Sequence, residues 1–538
     1  MADLDTAMFA LDVKGASRAV GVEMWAGLEC TINRVGDRYF DQLARSGHYT
    51  RAADIDRLAD LGIRTLRYPV LWERHASNDE AWRVTDAAMT RMKERDIDPI
   101  VGLVHHGSGP SGTSIISGNF AEGLAHHANR VARRYPWVKR YTPINEPLTT
   151  ARFACLYGHW YPHLRDDAAF VCAILEQTRG TQLAMRSIRR VRSDAQLIQT
   201  EDLGHTHATP PLHQQGEFEN ARRWLTMDLL LGRVVAGHGL HRFLARSREC
   251  ASHLDEISAA PCPPDLIGIN HYVTSERFLD HRVERYPVET HGGNGRQRYA
   301  DVEAIRALEG GVLGARRLLQ LVWERYGLPM AITEAHLGCS REQQLCWLGD
   351  LVRAAGEARE DGADIRAVTA WAAFGSFDWP SLLTREEGCY ESGLFDIRSH
   401  PPRPTALARM VEALARDGIY DHPVLDAPGW WNCNRRLTFA REPRPSERPC
   451  ALNVASADGR ENFTAEGREN IETQRSRSGD STSPPHRAMR SRFAGRSASA
   501  SARRILLTGA AGTLGRAFQG ICAERQLALV AVSRGELD

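Results

Sequence analysis

The sequence lacks the features of a membrane-bound, secreted or nucleic-acid-binding chain. It has no apolar run near the roughly 18 residues that a membrane-spanning helix needs, and its start, Met-Ala-Asp-Leu-Asp-Thr-Ala, has no basic or apolar signal segment. Basic and acidic residues number 68 and 67, and the formal charge of +1 creates no field that attracts nucleic acid or anionic lipid. We therefore expect a cytoplasmic protein with neither nucleic acid nor membrane as a partner.

Recognisable cysteine patterns are also absent. The 11 cysteines form no C-x-x-C pair and show no finger-like spacing with histidine. This argues against a disulfide framework and against a structural zinc site. We expect reduced, mostly buried thiols and no metal. The sequence does not predict the oligomeric state.

From about residue 19 to 420, short apolar runs alternate with longer amphipathic ones. This alternation predicts parallel strands joined by helices. Eight such runs favour an α/β fold with a closed (β/α)8 TIM barrel over an open sheet. The candidate strands are residues 19–25, 63–68, 99–104, 140–145, 196–200, 266–272, 330–333 and 368–371.

Two glutamates each end one of these apolar runs. Glu146 lies in Tyr-Thr-Pro-Ile-Asn-Glu-Pro and Glu334 in Met-Ala-Ile-Thr-Glu-Ala-His-Leu-Gly. The carboxyl ends of barrel strands meet on one rim, where barrel enzymes place their chemistry. Two carboxyl groups are what cleavage of a glycosidic bond needs, one to protonate the leaving oxygen and one on the other side of the sugar carbon. Other side chains expected on this rim are Arg67, His105, Asn270, Tyr272 and Trp371.

Five separated segments carry a family resemblance. Residues 142–147 are similar to T-x-N-E-P with one residue more, and residues 332–334 to the start of I-T-E-N-G. Residues 66–74 are similar to R-F-S-I-S-W-x-R, residues 268–272 to G-x-N-Y-Y, and residues 371–379 to W-S-L-L-D-N-F-E-W. With these motifs in this order, residues 1 to 430 resemble glycoside hydrolase family 1, the retaining β-glucosidase-like enzymes.

The resemblance implies a role for each matched residue. It makes Glu146 the acid/base and Glu334 the nucleophile, which predicts carboxyl groups about 5 to 5.5 Å apart. Arg67 and Tyr272 would keep Glu334 ionised through a positive charge and a hydrogen bond. The barrel needs no cofactor in this resemblance, and its partner is a small-molecule glycoside. The implied substrate-binding residues are Arg67, His105, Asn145, Asn270, Tyr272, Trp371, Asp378 and Trp379.

Three departures from the family pattern bear on the sugar. No glutamine occurs in residues 25–33, where the family has one that grips distal hydroxyls. Asp378 stands where the family has a glutamate, and Ala335 follows Glu334 where the family has an asparagine. We expect the chemistry to be kept, and the sugar or its attached group to differ.

The character of the sequence changes after the barrel. We place the barrel domain at residues 1–435 and a disordered linker at 436–502, which is rich in Arg, Ser, Glu, Pro and Gly and poor in periodic apolar residues. Residues 503–538 follow as a third segment. There a short apolar strand leads into Gly509, Gly512 and Gly515, whose spacing allows a tight turn against a pyrophosphate.

Residues 503–538 resemble the opening β-α-β unit of the extended short-chain dehydrogenase/reductase superfamily, most of all dTDP-4-dehydrorhamnose reductase. In that resemblance Arg534, after the second strand, suits the 2′-phosphate of NADP. The reductases use Y-x-x-x-K, and that spacing occurs here only in Tyr135–Lys139, inside the barrel and with a proline. We therefore expect a truncated Rossmann-like segment, from a fusion or a frameshift, that does not hold NADP tightly.

Three functions remain open from the sequence. The first is a retaining β-glycosidase. The second is an NADP-dependent nucleotide-sugar reductase, assigned through the final segment. The third is a non-enzymatic carbohydrate-binding scaffold. Two glutamates, each at the end of its own strand and facing the other, favour the first function over the third. The missing Tyr/Lys pair counts against the second.

Overall fold

Eight parallel strands close into a barrel in the computed structural model. The structure describes residues 21–439 and the backbone of three short strands, Ser17–Arg18, Ile505–Thr508 and Leu529–Val532. The chain divides into two compact units, Met1–Pro449 and Cys450–Asp538.

Each barrel strand pairs in parallel with its neighbours in chain order, and the eighth strand closes the ring against the first. The predicted (β/α)8 barrel is confirmed. Its strands are β1 (Glu23–Gly27), β2 (Thr65–Pro69), β3 (Asp98–His105), β4 (Arg140–Asn145), β5 (Gln196–Glu201), β6 (Leu266–His271), β7 (Met330–Ala335) and β8 (Ile365–Ala370).

Helices connect the strands and surround the barrel. Amphipathic stretches such as Phe120–Arg134 bury one face against the strands and leave the other in solvent. The helices are α1 (Gln42–Ser46), α2 (Asp54–Asp60), α3 (Trp72–His75), α4 (Asp79–Glu94), α5 (Phe120–Arg134), α6 (Pro147–Ala151), α7 (Asp167–Arg189), α8 (His213–Arg222), α9 (Leu225–Leu230), α10 (His241–Leu244), α11 (Arg248–Ala259), α12 (Ala304–Ala307), α13 (Gly314–Tyr326), α14 (Arg341–Glu360) and α15 (Ala406–Asp417).

Side chains fill the inside of the barrel. Every residue of β2, β6 and β7 is buried, as expected for parallel strands covered on both faces. Gly268 in β6 is required there, because a Cβ at this position would lie 2.6 Å from side-chain atoms of both Thr200 and Thr333. The barrel is therefore a packed core that leaves its upper rim for chemistry.

Two strands start three or more residues away from their predicted starts. The first was expected to begin at residue 19, but β1 starts at Glu23, because Gly21 takes a φ of +67° that interrupts an extended strand. The last was expected to begin at Val368, but β8 starts at Ile365. The exposed Arg366 breaks the apolar pattern without breaking the strand, since its side chain pairs with Asp364.

A second, four-stranded sheet lies outside the barrel. One of its strands follows β5 in the chain and the other three follow β6. All four therefore belong to segments that leave the carboxyl ends of barrel strands. In spatial order they are His291–Gly293, Arg298–Glu303, Glu276–Asp280 and His205–Ala208.

Barrel packing continues past residue 435, where the sequence analysis begins the linker. Arg436 is buried and donates hydrogen bonds to the carbonyls of Ile305, Leu308 and Glu309. Phe439 packs against the ring of Tyr286, with centroids 5.4 Å apart. The predicted linker otherwise lies outside the described residues.

In the second unit, Ile505–Thr508 and Leu529–Val532 pair in parallel, with Ile505 opposite Leu529. This pairing is the one expected of a β-α-β unit. Gly509, Gly512, Gly515 and Arg534 lie outside the described residues. Among the helices that the structure describes, none is long and apolar enough to cross a membrane.

Candidate active site

The carboxyl-end rim of the barrel places Glu146 and Glu334 in one buried site. Glu146 follows β4 with a φ of +46°, an unusual conformation for a residue with a side chain, and begins the short helix α6. Glu334 lies near the end of β7. Their exposed fractions are 5% and 2%. Both carboxyl groups are therefore almost completely shielded from bulk water.

Glu334 is surrounded by groups that favour its charged form. Arg67 Nη1 lies 2.8 Å from Oε1, and the Tyr272 hydroxyl donates to Oε2. Burial raises the pKa of Glu334 to about 6, although the Arg67 charge and the Tyr272 hydrogen bond oppose the rise. Glu334 is thus suited to be ionised near neutral pH.

Glu146 has no cationic partner in the described part of the chain. Its closest polar contact is Asn270 Nδ2, 2.5 Å from Oε1. Burial raises the pKa of Glu146 well above its usual range, and the negative charges of Glu334, Glu201 and Asp202 raise it further. The surroundings therefore favour the charged form of Glu334 more than that of Glu146.

A third carboxyl group, Glu201 at the end of β5, anchors the segment after Glu146. It is fully buried and accepts hydrogen bonds from the Leu148 amide at 2.9 Å and the Thr226 hydroxyl at 2.6 Å. These contacts fix the start of α6 and with it the backbone of Glu146. The sequence analysis did not select Glu201, whose signal was its position at the end of a strand.

Asn145 links the residues below the two glutamates. Its Oδ1 accepts from Arg67 Nη2 at 2.8 Å, from Thr200 Oγ1 at 2.7 Å and from Asn270 Nδ2 at 3.2 Å. Its Nδ2 lies 3.2 Å from His105 Nε2. Three donors to one oxygen fix the orientation of the amide, so its NH2 group points to the histidine side.

Trp371, immediately after β8, forms a flat wall of the site. The His105 ring stacks on it with centroids 5.4 Å apart and planes 8° apart, and the Arg67 guanidinium lies 4.8 Å from its centre. The ring passes directly over Gly27 of β1, where a Cβ would lie 2.3 Å from the indole. Position 27 therefore has to be glycine for Trp371 to occupy this place in the site.

We expect Gly27→Ala to lower the free energy of unfolding by about 1–3 kcal/mol, because the added methyl group forces the indole of Trp371 to move within a packed core. Denaturant unfolding measures the change. Gly102→Ala in β3 is the matched control, because a Cβ there has no neighbour within 4 Å. Equal losses in the two variants would contradict the proposed clash.

His105 and His106 are both buried and neutral. Burial lowers the pKa of His105 well below its usual range, and the positive charge of Arg67 adds to the effect. Burial likewise lowers the pKa of His106 to about 3. His106, which the sequence analysis did not select, lies with Nε2 3.4 Å from Asn145 Nδ2 and Nδ1 3.0 Å from Thr150 Oγ1.

Asp378 and Trp379 are placed differently from each other. The Asp378 carboxylate is buried, forms an ion pair with Arg45 and accepts from the Cys389 amide at 2.7 Å. Trp379 is half-buried and meets the His106 ring edge-on, with centroids 6.0 Å apart. Trp379 thus faces the site, whereas the charge of Asp378 is neutralised by a partner outside it.

Glu29, two residues after β1, is a further carboxyl group of the site that the sequence analysis missed. It is 4% exposed, and its Oε2 accepts from the Trp371 indole at 3.2 Å. Its Oε1 accepts from the Thr31 amide at 3.0 Å. The available signal was a charged residue within two positions of the end of a barrel strand.

The histidines of the second sheet do not form a metal centre. His207 Nε2 lies 2.7 Å from Glu276 Oε2, and the His205 ring packs against it. Within the described residues, no group of three or more His, Cys, Asp or Glu side chains is arranged to hold a metal ion.

A barrel with two buried glutamates on the carboxyl ends of its fourth and seventh strands has the architecture of a glycosidase. Residues 5–390 match the glycosyl hydrolase family 1 description. The chain belongs to glycosyl hydrolase family 1 and is a glycoside hydrolase.

Individual relatives are distant. Beta-glucosidase 4 of Oryza sativa subsp. japonica is 23% identical over 451 residues, covering 72% of this chain and 89% of the relative. The 6-phospho-beta-glucosidase of Dickeya chrysanthemi is 23% identical over 377 residues, covering 64% and 79%. Among solved structures, the beta-glucosidase from Thermotoga maritima in complex with cyclophellitol shares the fold, with a TM-score of 0.58, 15% identity and coverage of 74% and 98%.

Proposed function

We propose that the chain is a retaining β-glycosidase that hydrolyses a small β-glucoside-like substrate, with Glu334 as the nucleophile and Glu146 as the acid/base. The observation that carries this assignment is the unequal environment of the two carboxyl groups. Arg67 and Tyr272 both contact Glu334, whereas Glu146 has an amide and neighbouring negative charges. Such a separation of pKa values assigns the base and the acid.

In the first step, the Glu334 carboxylate attacks the anomeric carbon while Glu146 gives its proton to the leaving oxygen. An ester to Glu334 forms and the glycosidic bond breaks. The ester removes the negative charge of Glu334, which adds to the effect of burial in raising the pKa of Glu146. Glu146 therefore becomes a base, takes a proton from water, and the resulting hydroxide displaces Glu334 with overall retention.

The surrounding residues have supporting parts in this proposal. Asn145, with its amide held by three donors to Oδ1, presents its NH2 group to a sugar hydroxyl next to the reacting carbon. His105 is neutral and can both donate and accept. Trp371 and Trp379 provide apolar faces for the ring of the sugar. The predicted separation of the two carboxyl groups stays a prediction.

A panel of p-nitrophenyl β-glycosides tests the proposal directly. We expect release of nitrophenol from the glucoside and a product that is first formed as the β-anomer, which NMR detects before mutarotation. Initial formation of the α-anomer would indicate inversion and contradict the roles given to the two glutamates.

The pH dependence of kcat/KM should be bell-shaped, with an acidic limb near pH 6. Below that limb Glu334 takes up a proton and can no longer attack, because its pKa is raised to about 6. At higher pH the activity falls again as Glu146 loses its proton. Initial rates with an aryl glucoside from about pH 4.5 to 9 measure both limbs. The two apparent pKa values belong to the coupled pair of glutamates. Activity that still rises below pH 5 would contradict the assignment.

The reductase alternative is not proposed. The family match ends at residue 390, and the glycine-rich turn lies outside the described residues. The only Y-x-x-x-K spacing is in the barrel unit, where the Tyr135 hydroxyl donates to Asp86 at 2.9 Å. Nothing in the described residues offers a cofactor the tyrosine/lysine pair of that chemistry.

A further inference from the structure

Glu29 is a buried carboxylate for which the proposed mechanism has no use. It lies beside the nucleophile closely enough for its negative charge to raise the pKa of Glu334. The indole of Trp371 donates to it at 3.2 Å. Burial raises the pKa of Glu29 above its usual value, and the side chains of Thr31, Trp371 and Trp379 oppose that rise. Glu29 therefore lies beside both of the tryptophans that the proposed function assigns to the sugar.

Within the residues that the structure describes, no cation neutralises Glu29. In the described part of the chain, no arginine, lysine or histidine forms an ion pair with Glu29. The nearby Arg67 already binds Glu334, Asn145 and the carbonyl of Thr333. An ionised Glu29 thus adds a negative charge to a site that bulk water screens poorly.

The carboxylate still has room to accept hydrogen bonds. An ionised carboxylate offers about four lone-pair positions. Within hydrogen-bonding distance the structure fills two of them, with the Thr31 amide on Oε1 and the Trp371 indole on Oε2, and the side chains of Thr31 and Trp379 also lie near the carboxylate. The remaining positions suit a group that donates, such as a sugar hydroxyl, and repel a group that only accepts and carries negative charge.

Asp378 does not offer the same opportunity. Its carboxylate is held by Arg45 and by the Cys389 amide, so its charge is balanced before any sugar binds. The two acids of this region therefore differ in kind. Asp378 is tied to the protein, whereas Glu29 is available to a ligand.

Sequence likeness does not choose between two kinds of sugar. A beta-glucosidase and a 6-phospho-beta-glucosidase both match at 23% identity. Individual side chains of the pocket must therefore discriminate between the two sugars. A phosphorylated sugar brings a charge whose burial is costly without a partner, whereas an unphosphorylated sugar brings none.

We propose that Glu29 is the residue that selects the sugar, accepting hydrogen bonds from hydroxyls of an uncharged glycon and rejecting glycons that carry phosphate or carboxylate. This inference rests on the proposed glycosidase function. It assigns a preference for unphosphorylated β-glucosides over β-glucoside 6-phosphates and β-glucuronides.

The test compares p-nitrophenyl β-glucoside, its 6-phosphate and p-nitrophenyl β-glucuronide as substrates of the full-length protein and of Glu29→Gln. The wild-type protein should prefer the uncharged glucoside by at least about 100-fold in kcat/KM. Glu29→Gln should lose about 10- to 100-fold on the glucoside, as expected for a charge-assisted hydrogen bond. The loss should be smaller on the two anionic substrates, so that their relative activity rises at least about tenfold.

Glu23→Gln is the matched control. Glu23 also accepts from a tryptophan indole, Trp25 Nε1 at 2.9 Å, but it is exposed at the opposite end of β1. This variant should leave all three substrates unchanged. Comparing Glu29→Gln with Glu23→Gln separates two effects. One is the loss of a carboxylate in the pocket, and the other is the loss of a carboxylate–indole contact anywhere in the barrel.

Two results would overturn the inference. One is a wild-type protein that hydrolyses the 6-phosphate as well as the glucoside, a measurement that needs no variant to fold. The other is a Glu29→Gln variant that loses the same factor on all three substrates, which would make Glu29 a positioning residue for Trp371.

Failure of the glycosidase proposal itself has a separate signature. 2,4-Dinitrophenyl 2-deoxy-2-fluoro-β-glucoside should form a stable ester with the nucleophile, and mass spectrometry of a peptide containing Glu334 detects it. Labelling of Glu334 without charge discrimination refutes only the role of Glu29. No labelling and no turnover of any β-glycoside refutes the function on which it rests.

Discussion

Replacing Glu334 with glutamine is expected to reduce kcat for aryl β-glucosides by about 10^4-fold or more, because the amide cannot form the covalent intermediate. The loss should be the same for good and poor leaving groups, since neither bond cleavage nor ester formation proceeds without a nucleophile. Steady-state rates with 2,4-dinitrophenyl and p-nitrophenyl β-glucoside measure it.

Glu324→Gln on helix α13 is the control for Glu334→Gln. Glu324 pairs with Arg317 on the protein surface, where one exposed ion pair contributes little to stability. That variant should keep wild-type rates. A Glu334→Gln protein that is folded by circular dichroism and retains more than about a tenth of wild-type activity would show that the nucleophile lies elsewhere.

Replacing Glu146 with alanine should have an effect that depends on the leaving group. A substrate such as 2,4-dinitrophenyl β-glucoside leaves without protonation, so it should still form the ester with Glu334. The ester then accumulates, because no base activates water. An alkyl β-glucoside needs the proton, and its turnover should fall by about 10^2- to 10^4-fold, the usual contribution of general acid–base catalysis.

Azide distinguishes the roles of the two glutamates. In Glu146→Ala a small anion can enter the space that the carboxylate leaves and attack the ester without a base. Added azide should raise the rate with 2,4-dinitrophenyl β-glucoside and yield the β-glucosyl azide, identified by NMR. An α-glucosyl azide would mean that the roles of Glu146 and Glu334 are reversed.

The barrel could be predicted because its signals are local. Apolar runs of about six residues that alternate with amphipathic stretches report burial on both faces of a strand and on one face of a helix. The fourth strand, Arg140–Asn145, was predicted to the residue. Strand ends were less certain, as Gly21 and Arg366 show, because a positive φ and an exposed charge are decided by neighbours outside the strand.

The sequence by itself determined the fold class and named Glu146 and Glu334, since each stands at the end of its own apolar run within a short motif. Only the tertiary structure decided which other acids share their site. Glu29 meets Trp371 across 342 residues of chain, and Asp378 meets Arg45 across 333. Such distant partners decide whether a carboxylate is neutralised by the protein or can bind a ligand. Burial matters as well, because charges interact more strongly where bulk water is excluded.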